Sequence, residues 1–202
     1  MEKHRVLIMR CEEYDPDRIC AVVKTGMEEL GVRPSGKILL KPNVVIAHPE
    51  IFPHAFTRKE FLDGVIAATK AMSEDVEELA VGERSGITIS TRFNFKNAGY
   101  PAVIKRHGVK VYYFDETPQV AVPLKGKARL RNQVFVPKPV ADCDFLINLP
   151  KFKAHPWCRL TLSLKNYIGI QGDRHRLVDH NSFLEHKIAD LQEVCLLYTS
   201  DA

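Results

Sequence analysis

Short apolar runs alternate with helical patterns along most of this chain. Continuous apolar runs predict buried strands over residues 5–9, 37–40, 78–81, 109–114 and 144–148. Apolar residues at helical spacing predict helices over 16–30 and 57–72, a broken helix over 92–105 and a helix from 183 onward. The turn-rich, alternating residues 119–136 predict a small β excursion. This order is typical of the α/β class, with an open, mostly parallel sheet and flanking helices in Rossmann-like layers.

Local signals mark the ends of the predicted helices. Asp15 followed by Pro16 predicts the start of the first helix, and Gly31 predicts its end. Thr57 and Glu60 have the spacing of a capping box, which predicts that the second helix starts at Thr57.

Polar residues follow the predicted strands at the point where each strand ends. They are Lys41, Asn43, Glu83, Asp115, Asn148 and Lys151. In open α/β sheets, ligands bind beyond the carboxyl ends of the strands. We therefore expect these residues, which are far apart in the sequence, to converge at one edge of the sheet.

The segment after the last predicted strand is strongly basic. Residues 151–176 contain six Lys or Arg and one acidic residue, Asp173, whereas the whole chain has 29 basic and 25 acidic residues. Such closely packed like charges repel one another unless an anion lies among them. Lys151, Lys153 and His155 alternate, so an extended segment would place them on one side, where they could hold a carboxylate or phosphate. The alternative is a solvated edge whose lysines discourage strand pairing.

Lys165 and Asn166 follow the apolar residues 160–164. A lysine that emerges from an apolar stretch is partly desolvated, which lowers its pKa unless an anion accompanies it. The side chain would then serve as a general base, a Schiff-base amine or a counter-ion. The alternative is a lysine whose stem covers apolar surface while its ammonium reaches water.

Imidazoles and carboxylates in the same regions suggest a metal. His155, His180 and Glu83 are the ligand candidates for a divalent ion, although no tight ligand motif is present. The catalytic candidates are Lys165, Glu83, Asp115 and His155. The ligand-binding candidates are Lys41, Asn43, Asn148, Lys151, Lys153 and Asn166.

Composition limits the class of protein. The 202 residues, 45% hydrophobic and 27% charged, suit one globular domain. No run approaches the ~20 apolar residues of a membrane span, and the first residues lack the pattern of a signal peptide. We therefore expect a cytoplasmic protein without a membrane partner. The five cysteines form no C-x-x-C pair. The net charge of +4 is modest, and the basic residues are interleaved with acidic ones outside the basic segment, so the charge does not favour nucleic acid as a partner.

The last eight residues differ from the rest. Residues 195–202, CLLYTSDA, resemble translated adapter DNA of the kind used to prepare sequencing libraries. We therefore predict a single α/β domain over residues 1–194, truncated at its C-terminus, and a non-native tail over 195–202.

Together, these motifs resemble the domain of unknown function 362 family. The matching pieces are Lys41-Pro42-Asn43, Thr57, Val81-Gly82-Glu83, Asp115, the segment from Asn148 to His155, Lys165-Asn166 with Gly169, and His180. Arg84 before Ser85, and Ala154 before His155, depart from the family pattern. Some members carry a ferredoxin-like iron–sulfur segment. The resemblance therefore implies a 4Fe-4S cluster only in a C-terminal extension beyond Val194, and none within this chain.

Three functions follow as hypotheses. The first is a protein, an enzyme or a remnant of one, that binds a small anionic substrate or cofactor at the strand ends, with metal assistance as a further possibility. The second is a redox-associated module with a redox partner, whose iron–sulfur segment is missing here. The third is a nucleic-acid binder that uses the basic segment, which has few interleaved aromatic residues.

Overall fold

Four parallel strands form the central sheet of the computed structural model. The structure describes residues 5–124, 129–155, 158–180 and 182–197, with 195–197 as backbone alone. The strands β1 (Gly36–Pro42), β2 (Val76–Glu83), β3 (Lys110–Tyr113) and β6 (Phe145–Leu149) lie in the order β3-β2-β1-β6. Each neighbouring pair is parallel. The predicted α/β class with an open parallel sheet is confirmed.

Four helices cover one face of the sheet. They are α1 (Pro16–Leu30), α2 (Lys59–Met72), α3 (Thr91–Asn97) and α4 (Tyr100–His107). Their apolar side chains pack against Leu40, Val81 and Leu149 of the strands. The predicted limits of α1 are confirmed, because the Asp15 carboxylate accepts the Arg18 N–H at 2.8 Å and Gly31 has a φ of 70°.

A hairpin and the C-terminal helix cover the other face. The elements are β4 (Gln119–Pro123), β5 (Gln133–Pro137), α5 (Lys138–Ala141), a 3₁₀ helix (Tyr167–Ile170) and α8 (Leu184–Leu197). They pack against Leu39, Ala80 and Leu146, the strand residues that alternate with those of the first face. The antiparallel pairing of β4 with β5 confirms the predicted β excursion.

Short elements follow β6 and lead to the edge of the sheet where the strands end. They are the antiparallel pair β7 (Lys153–His155) and β8 (Arg159–Thr161), then α6 (Ser163–Asn166) and α7 (Asp173–Leu177). The chain adds β2 and β3 on one side of β1 and then returns to place β6 on the other side. The strand order therefore reverses between β1 and β6, and such a reversal opens a ligand-binding crevice at the carboxyl ends.

Two local predictions are wrong. No strand forms over residues 5–9, where Val6 and Ile8 are 83% and 92% exposed; an apolar run becomes a strand only when a partner strand and a packed face are available. Thr57 does not cap α2, which starts at Lys59. Its hydroxyl accepts the Asn43 N–H at 3.0 Å and donates to the Leu149 carbonyl at 2.8 Å, so it joins the ends of β1 and β6 instead.

The predicted tail, residues 195–202, lies outside the described residues except for the backbone of 195–197. The predicted domain limit at Val194 stays a prediction. In the part of the chain that the structure describes, no helix is both long and apolar enough to span a bilayer. The predicted cytoplasmic location also stays a prediction.

Candidate functional site

A cavity of about 390 Å³ lies beyond the carboxyl ends of the strands. Its polar lining consists of Asn43, Glu83, Arg84, Lys153, His155, Thr161, Lys165, Asn166, Arg176 and His180. Apolar side chains, among them Val45, Ile87 and Ile168, complete the wall. Seven residues singled out from the sequence therefore come together here, although they lie in β2, β7 and α6 and in the segments after β1 and α7.

A fully buried ion pair forms the floor of this region. Lys41 of β1 donates to the Glu83 carboxylate of β2 at 2.8 Å, and the two residues are 0% and 1% exposed. The same carboxylate accepts the N–H groups of Arg84 at 2.8 Å and Val44 at 3.4 Å. Glu83 is thus neutralised by a buried cation and held by backbone amides, as a buried carboxylate requires.

Gly169 of the 3₁₀ helix lies directly against this pair. A Cβ at this position would lie 2.4 Å from the Glu83 Oε1 and 3.0 Å from the Lys41 Nζ. The first distance is shorter than real Cβ contacts and the second is at the tight end of their range, so a Cβ here would displace the bonded Glu83 carboxylate. The sequence placed Gly169 in the family pattern without giving this reason.

A row of hydrogen-bonded side chains lies behind the cavity wall. The Lys153 ammonium donates to the Asn43 Oδ1 at 2.8 Å, and the Asn43 Nδ2 donates to the Asn166 Oδ1 at 2.8 Å. The Asn166 Nδ2 in turn donates to the Asn148 Oδ1 at 2.7 Å. Lys153 also donates to the Ala55 carbonyl at 2.6 Å. Since each amide is both donor and acceptor, the row fixes Lys153 relative to α6.

Lys165 stands apart from the other cations of the site. It is half-buried at the cavity wall, and its ammonium has no hydrogen bond or ion pair in the described part of the chain. Burial lowers the pKa of Lys165. Cys158 opposes this shift, and the charges of Arg176 and Lys41 add to it. Burial likewise lowers the pKa of Lys153, to about 8.

Arg176 is a residue of the site that the sequence did not single out as a ligand. It is 6% exposed, and it donates to the carbonyls of Ser85 at 2.6 Å, Arg84 at 3.3 Å and Ile168 at 3.4 Å. These bonds tie α7 to the segment after β2 and to the 3₁₀ helix. Its position in a run of basic residues was the only available signal, and that run does not distinguish it from Arg174.

The two histidines lie near each other with ring centroids 6.3 Å apart. The His155 Nδ1 accepts the Cys158 N–H at 3.2 Å, which assigns the proton of the neutral ring to Nε2. Burial lowers the pKa of His155 to about 4 and also lowers the pKa of His180. Both rings are therefore neutral at pH 7.

The predicted metal ligands do not form a three-ligand group. Glu83 is bonded to Lys41, and a ring nitrogen that carries a proton, as the His155 Nε2 does, cannot bind a metal at the same time. Among the described residues, no three His, Cys, Asp or Glu side chains are arranged to hold an ion. A bound metal stays a prediction.

The chain was compared with known proteins. The sequence profile of the family described as "Domain of unknown function (DUF362)" matches residues 38–200. This chain belongs to the DUF362 family. This DUF362 chain is 27% identical over 169 residues to the thylakoid-associated protein sll1697 of Synechocystis sp. (strain ATCC 27184 / PCC 6803 / Kazusa). The match covers 81% of the chain and 50% of the relative, so the chain spans about half the length of the curated relative it matches. No solved structure matches.

The structure accounts for one departure from the DUF362 pattern. Arg84, which separates Glu83 from Ser85, bonds Asp173 at the start of α7, with an Nε–Oδ1 distance of 3.1 Å and an Nη2–Oδ2 distance of 2.8 Å. The two-point pair holds α7 over the end of β2. The other departure, Ala154, lies exposed between Lys153 and His155.

Four predicted site residues lie outside the cavity lining. Lys41 and Asn148 each bond a residue of the lining, whereas Lys151 and Asp115 bond residues elsewhere. The Lys151 Nζ donates to the Tyr14 hydroxyl at 3.0 Å, because β7 begins only at Lys153 and the alternation does not extend to Lys151. The Asp115 carboxylate accepts the Thr91 N–H at 3.1 Å at the start of α3. Asp115 follows β3, the strand at the far edge from β6, so the crevice between β1 and β6 lies away from it.

Proposed function

We propose that the cavity binds a small organic anion, a substrate or cofactor with a carboxylate or phosphate group. The observation that carries the proposal is the balance of charge in the described lining. Lys153, Lys165 and Arg176 line the cavity, whereas Glu83, the single carboxylate of the described lining, is already bonded to Lys41. Like charges that line one cavity repel one another, so an anion among them relieves that repulsion.

The shape and lining of the cavity define the class of ligand further. A volume of about 390 Å³ is in the range of small-molecule sites. Val45, Ile87 and Ile168 offer apolar contact beside the cations. This combination supports a ligand with one anionic end and a short apolar body. Assistance by a divalent metal is tested together with anion binding.

Ligand-dependent stability tests the proposal. The full chain is unfolded in urea with increasing oxalate or inorganic phosphate at constant ionic strength, and the same series is repeated with Mg²⁺ or Zn²⁺. An anion that binds the folded chain raises the free energy of unfolding by ~2.7 kcal/mol at a concentration 100 times its Kd.

Two variants locate the effect. Lys153→Met removes a cation from the cavity, and Lys151→Met removes one from a neighbouring position outside it. We expect Lys153→Met to lose the stabilisation by anions and Lys151→Met to retain it. Equal responses of the parent and Lys153→Met would show that the cavity is not the anion site.

The redox-associated module and the nucleic-acid binder stay predictions from the sequence. No contact of the described residues favours either of them over a small anion.

A further inference from the structure

We propose that Lys165 is a Schiff-base lysine, which forms an imine with a small carbonyl compound that also carries a carboxylate. The inference rests on the proposed anion site and adds a covalent step to it. It follows from a difference in hydrogen bonding between Lys165 and the other lysines near the cavity.

The other cations are committed to partners within the protein. Lys41 donates to Glu83, and Lys153 donates to Asn43 and Ala55. These hydrogen bonds direct the two ammonium groups at acceptors of the protein. Lys165 reaches the same cavity without a hydrogen bond or ion pair in the described residues, so its nitrogen is available.

The surroundings of Lys165 favour the neutral amine that attack requires. The side chain is half-buried, and its neighbours Arg176 and Lys41 are cations. Desolvation and a second positive charge are the two means by which proteins activate a lysine nucleophile, and both lower the pKa of Lys165.

Arg176 is placed to hold the carboxylate of such a compound. Three of its N–H groups donate to backbone carbonyls, and a guanidinium has five, so two remain for a ligand. Asn166, next to Lys165 in α6, is linked through Asn43 to Lys153. The row therefore fixes Lys153 relative to α6, the helix that bears Lys165.

The reaction needs no further reagent. The Lys165 nitrogen attacks the carbonyl carbon, so a C–N bond forms and the C=O double bond becomes a C–O single bond. Protons move from nitrogen to oxygen to give a carbinolamine. Its hydroxyl takes a proton and leaves as water while the C=N bond forms. The Lys153 ammonium, which lines the same cavity, is suited to supply that proton because its pKa of about 8 is near the working pH.

Reductive trapping tests the proposal on the parent protein. The chain is treated with glyoxylate and sodium cyanoborohydride at pH 7, and trypsin peptides are analysed by mass spectrometry. Reduction of the imine leaves a carboxymethyl group on the lysine and prevents cleavage there. We expect the peptide 160–174 to appear uncut at Lys165, at least about tenfold faster than Lys151 is labelled, because the cavity orients the aldehyde.

Two comparisons identify the source of the labelling. Acetaldehyde, which lacks the carboxylate, should label Lys165 several-fold more slowly than glyoxylate. In Lys165→Arg, which has no amine that can form an imine, the fast-labelled site should disappear. Labelling of Lys165 at the same rate as Lys151 would overturn the Schiff-base assignment. If oxalate still stabilises the chain in that case, the anion site stands and only the covalent step fails.

Discussion

At the scale of single residues, close packing around buried charge is the main constraint on this site. Lys41 and Glu83 can remain ionised without water because they bond each other at 2.8 Å and the carboxylate accepts two backbone amides. Removing one partner of such a pair costs about 3–5 kcal/mol, since the other charge is left buried and unpaired. The backbone at Gly169 completes the enclosure of the pair.

Gly169→Ala is expected to destabilise the fold by about 1–3 kcal/mol, the usual cost of overpacking. The added methyl would displace the Glu83 carboxylate or the 3₁₀ helix, because it would lie 2.4 Å from the Glu83 Oε1. Urea unfolding measures the loss. Gly26→Ala is the matched control: it lies in α1, where a Cβ meets only a Leu7 methyl at 3.7 Å, so helix propensity should make it neutral or stabilising by up to about 1 kcal/mol. Equal effects of the two substitutions would argue against close packing at Gly169.

The protonation of His155 gives a pH dependence whose sign can be stated. Its pKa is about 4 in the folded chain and 6.5 by default, so the unfolded chain binds more protons between these values. His155 therefore contributes stability above pH 6.5, and this contribution is lost as the pH falls towards 4. The free energy of unfolding, measured over this range, should fall less steeply with decreasing pH in His155→Asn than in the parent. Parallel curves would contradict the neutral ring inferred from the bond with Cys158.

At the scale of elements, α8 fastens the second layer through buried polar groups. The Lys187 ammonium donates to the carbonyls of Arg176 at 2.8 Å and Val178 at 2.6 Å, and also bonds the His175 carbonyl, so it closes the end of α7. The Asp190 carboxylate accepts the N–H groups of Arg129 and Leu130 at 2.8 and 2.9 Å. One helix thus positions both the loop before β5 and the helix that bears Arg176.

Asp190→Ala is expected to destabilise the fold by about 1–3 kcal/mol, because two part-buried amides lose a charged acceptor. Hydrogen exchange should quicken at the amides of Arg129 and Leu130 before it does in the sheet. Asp142→Ala is the control: its ion pair with Lys138 is exposed and lies within one helical turn, so its loss should change stability by less than about 0.5 kcal/mol. Unchanged exchange at the two amides would show that Asp190 does not fasten this loop.

The elements that the sequence predicted correctly are those with a clear relation to the core. β1, β2, β3 and β6 are continuous apolar runs because both faces of the sheet are covered, and α1 has both helical spacing and end signals. Residues 5–9 are equally apolar, but no strand of the described sheet lies beside them, so the strand predicted from their composition does not form. β7, β8, α6 and α7 have three to five residues each, too few for a period to be recognised.

The same reasoning explains which site residues could be predicted. Asn43 directly follows β1 and Glu83 is the last residue of β2, so the parallel sheet alone brings them to one edge. Arg176 reaches the cavity only because α7 folds back over the end of β2, a long-range contact without a local signal. Lys151 was predicted to line the site because it alternates with Lys153 and His155 in the sequence. The strand begins only at Lys153, so the alternation does not place Lys151 on the same side.

At the scale of the whole molecule, the two faces of the sheet form two cores that share the strands. Ile66 of α2 belongs to one core and Leu191 of α8 to the other, and both are fully buried. Because strand residues alternate between the faces, loss of packing on one side loosens the strands that support the other. The chain should therefore unfold as one cooperative unit, α8 included.

Leu191→Ala and Ile66→Ala are each expected to destabilise the chain by about 2–5 kcal/mol, the usual cost of truncating a buried aliphatic side chain. Far-ultraviolet circular dichroism follows the helices and near-ultraviolet circular dichroism follows tertiary packing, and both signals should change in a single transition in urea. Leu162→Ala, at a position 48% exposed, should cost less than about 1 kcal/mol. An early transition of the helical signal in Leu191→Ala, with the packing signal unchanged, would mean that α8 folds separately from the sheet. In that case Lys187 could not hold α7, and the position of Arg176 in the cavity would lose its structural support.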